Sequence, residues 1–220
     1  MHQKPTDDFT LPDNGLVIGV TGGIGAGKSQ VLNLLKEEYG AHILLADQVA
    51  AQLEEPGYEG FYLLVNRFGR NILGEEGRLD RKAFADMIFK EPEILNEVNE
   101  MLHPLTWQVL CKKVDQLRSL PGGPHLVVVE AALFDENSKK LCDTLWYVDA
   151  SEEKRLSRLM ENRGYSQRKC QDIMRNQLCR EEFLLLADQV IDNNGSIEEV
   201  RVQIARLLGS PCPVSRASKA

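Results

Sequence analysis

The run Gly22-Gly23-Ile24-Gly25-Ala26-Gly27-Lys28-Ser29 constrains the fold of this chain more than any other stretch. It follows Leu16 to Thr21 (LVIGVT), a short apolar run rich in β-branched residues, which reads as a buried parallel strand. After Lys28 the apolar residues Val31, Leu32, Leu34 and Leu35 fall at helical spacing, and Gly40 supplies a stop. A GxxxxGK[ST] run in that strand-to-helix context has a chemical purpose. Glycines let the backbone bend until successive N–H groups point at one phosphate. The new helix adds its unpaired N-terminal amides and partial positive charge. Lys28 is placed to reach the β- and γ-phosphates, and Ser29 offers a hydroxyl to Mg2+. The expected ligand is a nucleoside triphosphate.

The rest of the chain repeats the strand–helix alternation. His42 to Asp47 reads as a second strand, and Leu126 to Glu130, Thr144 to Asp149 and Asp188 to Asp192 as three more. Between them the pattern is helical: Tyr58 to Leu120, with interruptions near Gly69 to Asp80 and at His103-Pro104, then two stretches after Ser151 broken at Asn162 to Ser166. Ile197 to Leu208 closes the series as an amphipathic helix. This predicts an α/β fold of the P-loop NTPase type: a five-stranded parallel sheet with helices on both faces, an inserted helical subdomain and a lid. The expected boundaries are a disordered N-terminus over 1–14, a core over 15–208 with an insertion at 55–120 and a lid near 155–180, and a disordered tail over 209–220.

Sheets of this kind bind ligands beyond the carboxyl ends of their strands. Thr21, Asp47, Glu130, Asp149 and Asp192 are all expected there. Moving a phosphoryl group to a hydroxyl needs a carboxylate that orients the acceptor and takes its proton. Asp47, ending the strand after the phosphate-loop helix, is the candidate; an N-cap for a helix starting at Gln48 is the alternative. Glu130 and Asp149 are candidates for supporting Mg2+, for capping, or for pairing with an arginine. Arg155, Arg158, Arg163, Arg168, Arg175 and Arg180 punctuate the helices after Asp149, and arginines on a lid stabilise the charge of phosphoryl transfer. Arg158, one turn ahead of the proposed lid, is preferred.

Composition narrows the function classes. A net charge of −7 argues against a broad basic face for nucleic acid or anionic lipid, so the anion is gripped locally. The five cysteines are scattered, with no CxxC pair or Cys/His cluster, which reads as reduced thiols in a cytoplasmic protein. Met1 to Asn14 is polar and lacks the apolar core of a signal peptide, and no stretch approaches the ~18 apolar residues of a membrane span.

Taken in order, the motifs make the chain resemble the dephospho-CoA kinases, P-loop kinases of the last step of coenzyme A synthesis. The resemblance rests on GVTGGIGAGKS, Asp47, Glu55-Pro56-Gly57, Phe68-Gly69, GRLDRKAFADMIF from Gly77, and Leu102-His103-Pro104. It continues through Leu133-Phe134, Arg158 to Met160, Gln177, and ADQVIDNNG from Ala187 to Gly195. It implies phosphorylation of the 3′-hydroxyl of dephospho-CoA by MgATP. Asp47 matches the base, the loop Gly25 to Gln30 matches the ATP loop (with Gly23 beside it), and Asn193 to Gly195 matches the turn against the adenine. Arg81 and His103 would face the acceptor, although His103 serves equally well to fix a bend before Pro104. The chain departs from the family pattern at Gln30, Leu45, Ala51, the pair Asn162-Arg163, and Phe183, where a basic residue is common. The competing readings are a kinase with a nucleoside, nucleotide or sugar acceptor, and a nucleotide-dependent switch.

Overall fold

In the computed structural model, which describes residues 15–209, five apolar runs line up as one sheet in the order β2-β3-β1-β4-β5. The strands are β1 (Leu16–Thr21), β2 (His42–Leu45), β3 (Leu126–Glu130), β4 (Thr144–Asp149) and β5 (Gln189–Asp192). β1 lies at the centre, parallel to β3 on one side and to β4 on the other, and β4 is parallel to β5. Central parallel strands are covered on both faces, so their sequences are apolar throughout. Val17, Ile18 and Val20 of β1, Val127 to Val129 of β3 and Leu145 to Val148 of β4 are accordingly buried. The register sets Val20 beside Glu130, Thr21 beside Tyr147, and Asp149 beside Asp192. The acids therefore end their strands on one edge, level with the start of the glycine-rich loop.

The helices are α1 (Lys28–Tyr39), α2 (Ala46–Leu53), α3 (Glu59–Phe68), α4 (Arg81–Lys90), α5 (Pro92–Ser119), α6 (Glu136–Lys139), α7 (Glu152–Arg163), α8 (Gln167–Arg175), α9 (Arg180–Leu186) and α10 (Ile197–Leu207). The chain divides into two compact units. Among the described residues, one holds 15–44 together with 117–209, and therefore the glycine-rich loop and β1, β3, β4 and β5. The other is Leu45–Gln116. It has its own core, in which Leu64, Ile72, Phe84, Val98 and Leu102 are buried together.

Three local readings need correction. β2 stops at Leu45, so Asp47 does not end a strand; it is the second residue of α2. Nor is it an N-cap, since Leu45 holds that position without a side-chain bond. An acid inside the first turn is favoured by the partial positive charge of the helix start. The expected break at His103-Pro104 is also missing, because Pro104 lies inside the continuous 28-residue α5. Proline there removes one amide, which would have bonded the carbonyl four residues back. That residue, Glu100, is exposed, so water can serve its carbonyl instead. Finally, α6 was not anticipated. It is four residues long and is held by a capping box between Asp135 and Ser138. The expectations of disorder for 1–14 and for the tail beyond Gly209 lie outside the described residues.

Candidate active site

The glycine-rich loop leaves the buried end of β1 and enters α1 through backbone angles that suit glycine. Gly27, the residue before α1, has φ 93°, a left-handed conformation that side-chain-bearing residues avoid. Gly22 also has no room for a side chain, since a Cβ there would lie 2.6 Å from the Val148 carbonyl oxygen. The loop is thus pressed against β4. Ala26 is buried, whereas Ser29 and Gln30 are exposed in the first turn of α1. The Lys28 Nζ donates to the Gly22 carbonyl at 2.7 Å and lies 3.6 Å from Glu130 Oε1. Both side chains are largely shielded, with relative exposures of 17% and 15%. The ammonium is therefore held at the loop mouth opposite a carboxylate on the neighbouring strand.

Arg158 and Asn193 fasten the loop from the other side. Arg158 Nη1 donates to the carbonyls of Ala26 and Gly25 at 3.1 and 3.3 Å, and its Nη2 donates to the carbonyl of Asn193 at 2.9 Å. The Asn193 side chain, almost fully buried, donates from Nδ2 to the same Ala26 carbonyl at 2.7 Å. The Asn193 amide is bonded to the Asp149 carbonyl at 2.8 Å, continuing the β4–β5 ladder. Asn194 accepts from the Ser151 amide at 2.8 Å, so the 193–195 turn is joined to the start of α7. Gly195 follows, where a Cβ would collide with the Glu199 carboxylate. These bonds bring the glycine-rich loop, Arg158 and the 193–195 turn into one hydrogen-bonded group.

Two residues in this group were not singled out from the sequence as site residues. Arg155, one turn before Arg158, donates from Nε to the Ile24 carbonyl at 2.9 Å. Gln177, between α8 and α9, accepts from the Ile24 amide at 2.8 Å and from Arg155 Nη2 at 3.1 Å. Burial lowers the pKa of Arg155 from the usual guanidinium value. Arginine nonetheless stays charged in proteins. Nearby, Asp149 is buried at the end of β4, accepts from the Tyr147 hydroxyl at 2.9 Å, and pairs with Arg180 Nε at 2.8 Å. Burial, reinforced by the Asp149 carboxylate, pushes the Tyr147 phenol above its usual range. Asp149 thus takes the arginine-pairing option among its possible roles, while Glu130 faces Lys28. A cavity of about 580 Å³ opens here, lined by Tyr147, Asp149, Arg155, Arg175 and Arg180 among others.

Phe183 stands where a cation had been expected on family grounds. It is buried and stacks on Tyr147, with ring centroids 4.8 Å apart and planes 8° from parallel. The position serves packing of α9 on β4 in this chain.

The other three candidates, Asp47, Arg81 and His103, belong to the unit Leu45–Gln116. Asp47 is exposed in the first turn of α2. Arg81, exposed at the start of α4, lies 3.1 Å from Glu54 and 3.6 Å from Glu55. Burial raises the pKa of Glu54, and Arg81 opposes that shift. The His103 Nε2 accepts from the Trp107 indole N–H at 3.3 Å, with the two rings edge to face. The pair is four residues apart on one face of α5, as helical spacing requires.

Among the described residues no helix is long and apolar enough to cross a membrane. No group of three or more His, Cys, Asp or Glu side chains forms a metal cage among them either. Comparison with known proteins adds four findings. A family model described as dephospho-CoA kinase matches residues 16–199. The chain is 38% identical over 192 residues to a dephospho-CoA kinase of Carboxydothermus hydrogenoformans, covering 87% of this chain and 92% of that protein. It is 34% identical over 191 residues to the dephospho-CoA kinase of Escherichia coli strain K12, covering 87% and 90%. Among solved structures it is similar to TT1252 from Thermus thermophilus, with a TM-score of 0.72 and 31% identity over 89% of this chain and 97% of that one.

Proposed function

The chain belongs to the dephospho-CoA kinase family, and from that premise we propose how its residues divide the reaction. The enzyme transfers the γ-phosphoryl group of ATP to the 3′-hydroxyl of dephospho-CoA, giving coenzyme A and ADP. The observation that supports the assignment of roles is the loop Gly22 to Ser29, with its lysine held opposite Glu130 and its carbonyls bound by Arg158 and Asn193.

The amides of Gly25 to Gln30 bind the phosphates, and the Lys28 ammonium turns from the Gly22 carbonyl to the γ-phosphoryl oxygens as negative charge shifts among them. Arg158 bonds three backbone carbonyls, so its first task is to hold the loop and the 193–195 turn at a fixed spacing around the nucleotide. Asp47 accepts the proton of the acceptor hydroxyl, a role open to an exposed carboxylate. Arg81 and His103 recognise dephospho-CoA. The hydroxyl of Ser29 and the carboxylate of Glu130 are hard oxygen donors. They fit a Mg2+ that arrives with ATP, better than a resident ion, since Mg2+ is typically held by one or two protein groups plus substrate phosphates. Held by Ser29 and Glu130, such an ion would supply positive charge to offset the negative charge of the triphosphate. A cytoplasmic location suits this chemistry.

The test is ADP release by purified protein with MgATP across a panel of acceptors. Turnover should require dephospho-CoA, and equal turnover with nucleosides or sugars would overturn the acceptor assignment.

A further inference from the structure

The crest of the phosphate loop is closed by a ring of three hydrogen bonds that uses both main-chain polar groups of a single residue. Ile24 gives its amide to Gln177 Oε1 at 2.8 Å and receives Arg155 Nε on its carbonyl at 2.9 Å. Arg155 Nη2 then reaches the same Gln177 oxygen at 3.1 Å. An amide committed to Gln177 is not offered to a phosphate; the Ala26 and Gln30 amides are likewise bonded, to the Gly23 and Gly27 carbonyls. The fit leaves no slack. A Cβ at Gly25 would lie 2.7 Å from the Arg155 carbonyl oxygen, and one at Gly23 would fall on the Arg155 guanidinium.

Resting on the reading that ATP occupies this loop, we propose that Arg155 and Gln177 are positioning residues for ATP. They hold Ile24 so that the following amides face the phosphates, and they tie that grip to the connection between α8 and α9. Neither residue touches a reacting atom. Both act through the backbone of the loop.

Losing one member should therefore weaken ATP selectively. In Arg155→Ala and Gln177→Ala, Kd for MgATP by calorimetry and KM for ATP should both rise about tenfold, the scale of one lost hydrogen bond to a charged group. KM for dephospho-CoA and the thermal midpoint should stay close to wild type. Gln177→Glu keeps the shared acceptor oxygen and should restore most of the affinity. Gly23→Ala must push the guanidinium out of the ring, so it should mimic Arg155→Ala, and the double variant should be no worse than either single one. MgATP affinity unchanged in Arg155→Ala and Gln177→Ala would overturn the proposal. So would KM values for both substrates rising together with a falling thermal midpoint, which marks a role in folding alone. Wild-type protein that binds MgATP yet transfers nothing to dephospho-CoA would sink the functional reading while leaving this inference standing.

Discussion

Single residues carry the sharpest expectations. Lys28→Ala removes the ammonium proposed to meet the γ-phosphoryl group, and transfer to dephospho-CoA should vanish in a coupled ADP assay. Asp47→Asn keeps the size of the side chain and removes the proposed base. Turnover should fall at least ~100-fold while MgATP still binds by calorimetry; full activity would refute the assignment. Phe183 makes a different point. On family grounds it reads as a missing cation, yet it is 3% exposed and stacked on Tyr147. Phe183→Arg should therefore not repair a site. It should destabilise the fold by roughly 3–5 kcal/mol, the scale of an uncompensated buried charge, seen as a lower midpoint in chemical denaturation.

At the scale of elements, the strands were legible because buried parallel strands are continuous apolar runs, and LVIGVT, LVVVE and TLWYVD need no context to be read. The misreadings are equally physical. HILLAD is apolar up to the point where Ala46 turns into a helix, so the pattern alone overshot β2 by two residues. Pro104 marks a helix end in isolation but is tolerated in α5, where Glu100 is exposed. Four residues of α6 are too few to show any period. In the candidate site, the GxxxxGK[ST] run stands out because its residues are contiguous. The Arg155–Gln177 pair does not, since 22 positions separate its members and only the fold closes them on Ile24. Caps join neighbours in sequence, so their side-chain contacts are local. Ser196 accepts from the Glu199 amide and Glu199 reaches back to the Ser196 amide, closing a box at the start of α10. Ser196→Ala should cost about 1 kcal/mol and lower the midpoint of a thermal scan by roughly 2–4 °C.

For the molecule as a whole, the buried Tyr147 makes stability depend on alkaline pH. Its pKa is raised in the folded chain, so the folded state holds the proton more tightly than the unfolded one. The contribution is complete below the unfolded value of about 10 and is lost as pH rises past it. Denaturation midpoints should therefore drop above about pH 10, and Tyr147→Phe should flatten that drop. The strand order carries another consequence. β1 is made well before its partner β3, which pairs Leu126 with Leu16, 110 residues later. At a ribosomal pace of about 5–20 residues per second, the nascent segment waits roughly 5 to 20 seconds for that neighbour. During this time Leu45–Gln116 emerges in full and can gather around Leu64 and Phe84. The glycine-rich loop is thus translated well before the strands that flank it, and until they arrive the apolar run LVIGV lacks its sheet neighbours.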